Sequence, residues 1–106
     1  MNQAGLLRCY SEYFEERGDY LRAERLLKKV VDAQQEAGCK TEEFATDLYN
    51  LGLLNLALDK YDIAHDFLLD SLAIRMTLRH QRHPEILEVL DALSMAAAEG
   101  DWYLTA

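Results

Sequence analysis

With 106 residues the chain is long enough for one small domain, and a composition that is 50% apolar and 28% charged excludes intrinsic disorder. Five glycines, one proline and few alternating β-branched runs argue against strands, so we expect a protein that is nearly all helix. A net charge of −8 repels phosphate groups and disfavours nucleic acid as a partner. The sequence shows no signal peptide and no membrane span, and Cys9 and Cys39 make no disulfide framework. We therefore expect a cytoplasmic protein with reduced thiols.

Five predicted helices follow one another, near residues 3–17, 19–37, 42–57, 60–78 and 84–99, and a sixth starts at Trp102. The predicted turns between them lie at residues 18–19, 38–40, 58–59 and 80–83. Thr41 is the predicted N-cap of the third helix, because a hydroxyl at this position accepts a hydrogen bond from a free backbone N–H. Pro84 fits the first turn of the fifth helix, where its missing N–H costs nothing.

A repeat of 41 residues connects these elements. The segment ERGDYLRAERLLKKVV (16–31) aligns with LDKYDIAHDFLLDSLA (58–73), and the preceding segments align at the same shift. A third copy begins 42 residues further on and stops at its second helix. The matched positions are Tyr20 with Tyr61, Ala23 with Ala64, Leu27 with Leu68, Val31 with Leu72, Leu7 with Leu48, Tyr10 with Leu51, Ser11 with Gly52 and Phe14 with Asn55; Leu90, Leu93, Ser94 and Ala97 continue the series.

Small residues recur where the two helices of each repeat should approach each other. Gly52 opposes Ala64 in the second copy, where a glycine inside a helix costs roughly 1 kcal/mol and so requires a packing reason. Ser11 with Ala23, and Ser94 with Ala106, take the same positions in the other copies. We therefore predict close helix packing at these three pairs.

These residues resemble the tetratricopeptide repeats, whose signature is matched by Leu51, Gly52, Tyr61, Ala64, Leu68 and Leu72. The repeat length and the RHPEI stretch (82–86) look like the longer subclass typified by kinesin light chains. The resemblance implies an all-α, right-handed α-solenoid that forms a single domain over residues 1–106, about two and a half repeats long. Its hairpins would span about 3–37, 42–78 and, incompletely, 84–106.

The resemblance further implies a concave groove, lined by the first helix of each hairpin, that binds a segment of a protein partner. The candidate partner-binding residues are Arg8, Glu12, Tyr49, Asn50, Leu53, Glu88, Asp91 and Met95. This groove is apolar in the middle and acidic at its ends, so we expect a ligand with apolar anchors flanked by Lys or Arg. Alternatively, the carboxylates form a solvated surface, and Tyr49 and Leu53 pack against neighbouring helices.

Other classes of function find less support in the sequence. Arg8 is the one basic groove candidate, so the cluster of cations with which some family members hold acidic C-terminal tails is absent. No catalytic triad, phosphate loop or desolvated carboxylate pair is recognisable, and we predict no enzyme activity and no cofactor. Cys39, His80 and His83 lack an established metal-ligand spacing, so no metal site is predicted.

Two features of the surface remain. The fifth helix is apolar nearly all round, which predicts either that the chain is a piece of a longer repeat array or that it self-associates through Leu90, Leu93, Trp102 and Tyr103. The alternative is that the segment 102–104 folds back and covers this helix. The basic cluster of Arg22, Arg25, Lys28 and Lys29 contrasts with acids in the second repeat, since Arg25 aligns with Asp66 and Lys29 with Asp70. We expect ion pairs between these residues across adjacent second helices.

Overall fold

The computed structural model describes residues 3–78 and 84–100, and these residues form five α-helices and no strand. The helices are α1 (Gln3–Glu16), α2 (Tyr20–Glu36), α3 (Glu42–Ala57), α4 (Tyr61–Leu78) and α5 (Pro84–Gly100). All five predicted helices are confirmed, and the all-α repeat fold with them. The predicted sixth helix from Trp102 and the predicted turn at 80–83 lie outside the described residues.

One local closure ends α1, α2 and α3. One residue in each turn adopts the left-handed backbone conformation. Its φ is 78° at Gly18, 72° at Gly38 and 61° at Asp59. The next backbone N–H then donates to a carbonyl five residues earlier, as from Asp19 to Phe14 at 2.8 Å. Glycine adopts this conformation without a steric penalty, and aspartate is one of the few other residues that tolerate it.

Side-chain caps begin α2 and α3. The Asp19 carboxylate accepts a hydrogen bond from the backbone N–H of Arg22 at 3.3 Å. The Thr41 hydroxyl accepts one from the backbone N–H of Phe44 at 3.2 Å, which confirms the predicted N-cap. The chain therefore reverses direction at defined residues, and each helix packs against the next one along the sequence.

The close contact predicted at Gly52 is confirmed. A Cβ placed on Gly52 would lie 2.7 Å from Cγ and Cδ2 of Leu68 and 3.4 Å from the carbonyl oxygen of Ala64. In the first hairpin, Ser11 occupies the equivalent position, and its buried hydroxyl donates to the carbonyl of Ala23 at 2.8 Å. The third predicted pair involves Ala106, which lies outside the described residues.

Two clusters of buried side chains hold the stack together. The larger joins α2, α3 and the second half of α4, and it lies mainly where the first hairpin meets the second. The smaller joins α4 to α5 through Leu68, Val89, Ala92 and Ala96. Because both clusters cross from one hairpin to the next, burial of apolar surface between hairpins stabilises the array.

Candidate functional site

The groove face comprises the candidate residues on one side of α1, α3 and α5: Arg8, Glu12, Tyr49, Asn50, Leu53, Glu88, Asp91 and Met95. Glu12, Asn50, Glu88 and Asp91 are exposed, and Met95 has 59% of its surface exposed. Tyr49 and Leu53 are half-buried and pack against the cluster between α4 and α5. Part of each side chain therefore packs against neighbouring helices, as the alternative interpretation expects, and part remains exposed on the groove face.

Arg8 does not present a free positive charge. Its guanidinium makes hydrogen bonds to both carboxylate oxygens of Asp47, at 2.7 to 3.0 Å, and an ion pair with Glu43 at 2.8 Å. Asp47 is 3% exposed and the Arg8 side chain 22%, so the pair is largely enclosed between α1 and α3. The Asp47 carboxylate raises the pKa of Arg8 against the opposing effect of burial. A charge neutralised in this way offers little to an acidic ligand.

A third helix joins this network. With the Gln34 amide oriented for hydrogen bonding, its nitrogen donates to Asp47 Oδ2 at 3.0 Å and its oxygen accepts from Arg8 at 3.1 Å. Residues of α1, α2 and α3 therefore meet at one buried polar point. Such a network fixes the relative positions of the three helices as long as every member is paired.

A second arginine, more deeply buried than Arg8, anchors α5. Arg75 of α4 is 5% exposed, and it donates to the carbonyl of Glu85 at 2.9 Å and to the hydroxyl of Thr46 at 3.2 Å. Its guanidinium also lies 5.2 Å from the centre of the Tyr49 ring. Arg75 thereby fixes the start of α5 and the Tyr49 side of the groove face, and the groups that accept its hydrogen bonds are uncharged.

Acidic side chains of α5 border Tyr49 on the groove face. Burial raises the pKa of the Tyr49 phenol, and the charges of Glu88 and Asp91 raise it further, whereas Arg75 opposes them. The carboxylates of α5 thus lie near enough to an aromatic ring of α3 to affect its ionisation. An apolar ring bordered by carboxylates suits a ligand that combines apolar groups with positive charge.

A small cleft opens between α1 and α3 beside the Arg8 network. It has a volume of about 40 Å³ and is lined by Ser11, Leu27 and Asn50 together with Glu12, Glu15, Arg8 and Asp47. The structure therefore brings Arg8, Glu12 and Asn50 together at one end of the groove face. Tyr49, Leu53, Glu88 and Asp91 form a second group, and Met95 follows Asp91 by one turn of α5.

The prediction that the basic cluster of α2 forms ion pairs with acids of α4 is wrong. None of the ion pairs within the described residues joins Arg25 to Asp66 or Lys29 to Asp70. Equivalent residues of successive hairpins face the same way along the stack, so they do not face each other. Asp70 instead lies in a hollow with Gln35 and Lys40 of the preceding hairpin.

Sequence reasoning missed the two buried polar residues that position the groove, Asp47 and Arg75. Asp47 lies 39 residues after Arg8, and so falls outside the 41-residue register. A weak signal was available, because Asp47 and Arg75 are charges within otherwise apolar helices, where a charge is rarely buried without a partner.

A sequence model described as tetratricopeptide repeat matches residues 2–77. The chain belongs to the tetratricopeptide repeat family. A search of curated proteins finds no significant relative. Tetratricopeptide repeats generally mediate interactions between proteins and are not a catalytic family.

Two further findings concern the parts of this repeat protein that the structure describes. No helix in residues 3–78 or 84–100 combines the length and apolar character needed to cross a membrane. Within the same residues, no group of three His, Cys, Asp or Glu side chains is arranged to hold a metal ion.

Proposed function

We propose that the chain is a protein-interaction module whose groove face binds an apolar partner segment flanked by Lys or Arg. The observation that carries this proposal is the sequestration of Arg8 by Asp47 and Glu43. Exposed carboxylates then dominate the groove face around the side chains of Tyr49, Leu53 and Met95. Such a module would act within a larger scaffold, adaptor or regulator, and the 41-residue repeat supports the long subclass of the family.

Two parts of the groove face would have different roles. Met95, Tyr49 and Leu53 offer apolar surface for the anchors of the ligand, which supply most of the affinity through desolvation. Glu12, Glu88 and Asp91 would attract the flanking cations, mainly through association rate and salt dependence. Asn50 is exposed beside Arg8 and Glu12, where its amide would hydrogen-bond the backbone of an extended ligand.

A peptide titration tests this function. One peptide carries apolar anchors flanked by Lys, and its matched partner carries Glu in place of each Lys. We expect the basic peptide to bind more tightly, and the difference to shrink as salt is added. Preference for the acidic peptide, or equal affinity for both, would contradict the proposal.

Matched variants locate the binding surface. Met95→Asn and Asp91→Lys should each weaken the basic peptide, because one removes apolar contact and the other reverses a groove charge. Met76→Asn and Glu36→Lys make the same chemical changes on exposed residues of α4 and α2, outside the groove face. Equal losses in the groove variants and the controls would place the peptide elsewhere.

Self-association through α5 is a second candidate function. Ile86, Val89, Ala92 and Ala96 bury one side of α5, whereas Leu87 and Leu90 are 49% and 44% exposed. Leu93 is half-buried against the α4 cluster, and Trp102 and Tyr103 lie outside the described residues. An exposed apolar strip of this kind is typical of an interface.

Light scattering over a concentration series tests self-association. A mass that rises with concentration, and that Leu90→Glu returns to that of one chain while helicity is retained, would support it. A single chain at every concentration would exclude it.

A further inference from the structure

Within residues 3–78 and 84–100, one surface of the first hairpin is more exposed than the equivalent surface of the second hairpin. Ala45, Leu48, Leu51, Leu54 and Ile74 are at most 6% exposed and pack with α2 in the larger core. We name the residues 41 positions earlier the end face, and we include Leu26, which is the counterpart of Phe67. The end face consists of Ala4, Leu7, Tyr10, Tyr13, Leu26 and Ala33; Tyr10 is 51% and Tyr13 48% exposed.

The end face has the shape that receives a helix. A hollow of about 380 Å³ lies among Ala4, Leu7, Lys29 and Ala33, and one of about 390 Å³ lies over Phe14 and Leu26. Both hollows include Lys29, so they adjoin along the seam between α1 and α2. From residue 4 to residue 14 this seam follows roughly 15 Å of α1, or about three helical turns. In the second hairpin, α2 packs against α3 beside the equivalent seam, and Ile74 of α4 joins the same core.

Positive charge borders the end face. Arg22, Arg25, Lys28 and Lys29 line the larger hollow, with Asp32 as the one acid among its lining residues. Lys28 pairs with Asp32 at 3.5 Å, and Arg22 with Asp19 at 3.4 Å. Arg25 and Lys29 take part in none of the ion pairs formed by the described residues. They are the cations that a partner can engage without displacing an existing pair.

Comparison with the covered seam indicates the charge of the occupant. In the second hairpin, Asp70 stands at the position of Lys29, and the turn that follows α2 brings Lys40 into the same hollow. Lys40 opposes the rise in the pKa of Asp70 that burial and Asp66 cause, so the two charges interact. At the end face, the basic Lys29 takes the position that the acidic Asp70 has in the second hairpin. A partner with complementary charge would therefore carry carboxylates.

We propose that the end face binds an amphipathic helix of a partner protein, with an apolar stripe seated along α1 and α2 and Asp or Glu residues facing Arg25 and Lys29. This surface is separate from the groove face, which uses the opposite charge. The net charge of the chain, −8, disfavours the two other anionic classes, nucleic acids and lipid surfaces.

Synthetic helices with the 17-residue length of α2 are the probes. The first has leucines at i, i+3, i+4 and i+7 flanked by Glu, the second has Lys in place of each Glu, and the third scrambles the first. We expect the acidic helix to bind at least about tenfold more tightly than either of the others. Equal affinity for the acidic and scrambled peptides would overturn the proposal.

Charge reversal on the protein should change this preference. Arg25→Glu with Lys29→Glu should weaken the acidic helix about tenfold or more and favour the basic one, whereas the control Lys60→Glu should leave the preference unchanged. Tyr10→Ser should weaken the acidic helix without changing its charge preference. Circular dichroism checks that each variant keeps its helices, and Lys29→Gln alone serves if the double variant does not fold.

Other occupants give different results. Self-association that the double reversal abolishes would assign the end face to a second copy and overturn the proposal. Binding of anionic vesicles or single-stranded RNA that the acidic helix cannot displace would also overturn it. Met95→Asn should leave the acidic helix bound, which separates failure of this inference from failure of the groove function.

Discussion

The first and second hairpins share one backbone design at a shift of 41 residues, yet their side chains have different environments. Leu51 and Leu54 of α3 are buried against α2, whereas Tyr10 and Tyr13, their counterparts on α1, are about half exposed. Acids on α4 take the positions of bases on α2. The comparison teaches that position in the stack, as well as register within the repeat, decides what each residue does. Pairs of substitutions at equivalent positions test it directly.

The largest difference in the free energy of unfolding is expected between substitutions of Leu51 and of Tyr10. Leu51→Ala should lower the free energy of unfolding by about 3 kcal/mol, because it leaves a cavity in the larger core. Tyr10→Ala should change it by about 0.5 kcal/mol or less, because half of that side chain is already in water. Urea unfolding followed by circular dichroism measures both. Similar losses for the two variants would mean that Tyr10 is covered in solution.

The close contacts within the hairpins should differ in kind. Gly52→Leu should cost about 2 kcal/mol through overpacking against Leu68, whereas Ser11→Ala should cost about 1 kcal/mol through loss of its hydrogen bond to Ala23. Thermal melts of both variants beside the wild type measure the shifts. An unchanged midpoint for Gly52→Leu would show that Gly52 faces solvent.

The turns offer a reciprocal exchange. Gly18→Ala should destabilise the first hairpin by about 1 kcal/mol, because alanine is strained at a φ of 78°. Asp59→Gly should stabilise the second by no more than about 0.5 kcal/mol, since the strain relieved is offset by loss of the Tyr61 hydroxyl's hydrogen bond to Asp59. Denaturant midpoints for both variants test the signs, and losses of equal size would contradict the shared turn geometry.

The smallest effect concerns the reversed charges. Burial, and then Asp66, raise the pKa of Asp70 above its usual 3.8, so the folded state holds this proton more tightly than the unfolded state does. The resulting penalty on stability grows as pH rises from 3.8 through the raised pKa. Because Asp70 is exposed and its charge is screened by solvent, Asp70→Asn should stabilise the fold only slightly at neutral pH, and not at all well below pH 3.8, where the carboxyl is protonated in both states.

Lys29→Gln at the equivalent position is the control, because it removes a charge without removing a carboxylate. Stability curves of the wild type and both variants between acidic and neutral pH separate the effects. A gain from Asp70→Asn that is independent of pH would argue against the titration of Asp70 as its cause.

Much of the fold could be predicted because its signals are local. Turn residues, the Thr41 cap and the spacing of apolar residues set the five helices, and the repeat identified Gly52 as a contact. These features depend on residues within one hairpin, where sequence distance and spatial distance agree.

The polar features between hairpins could not be predicted in the same way. Register suggested that Lys29 would meet Asp70, but equivalent residues point in the same direction along the stack. Arg8 instead reaches Asp47, which sits outside the register on the neighbouring first helix. The groove residues are predicted from the helical face alone, and the face does not reveal how deeply Tyr49 and Leu53 are buried against α4 and α5. Partner binding at these residues therefore stays a prediction.

The position of the larger core has a consequence for how the molecule opens. Since that core joins α2, α3 and α4, the middle of the stack should have the slowest amide hydrogen exchange. The helices α1 and α5 should exchange through local openings that require less free energy. Contacts between successive helices close short loops, which favours rapid folding. The groove face draws on both outer helices. A bound partner would therefore slow exchange in α1 and α5 more than in α2 and α4, coupling recognition to the local folding of α1 and α5.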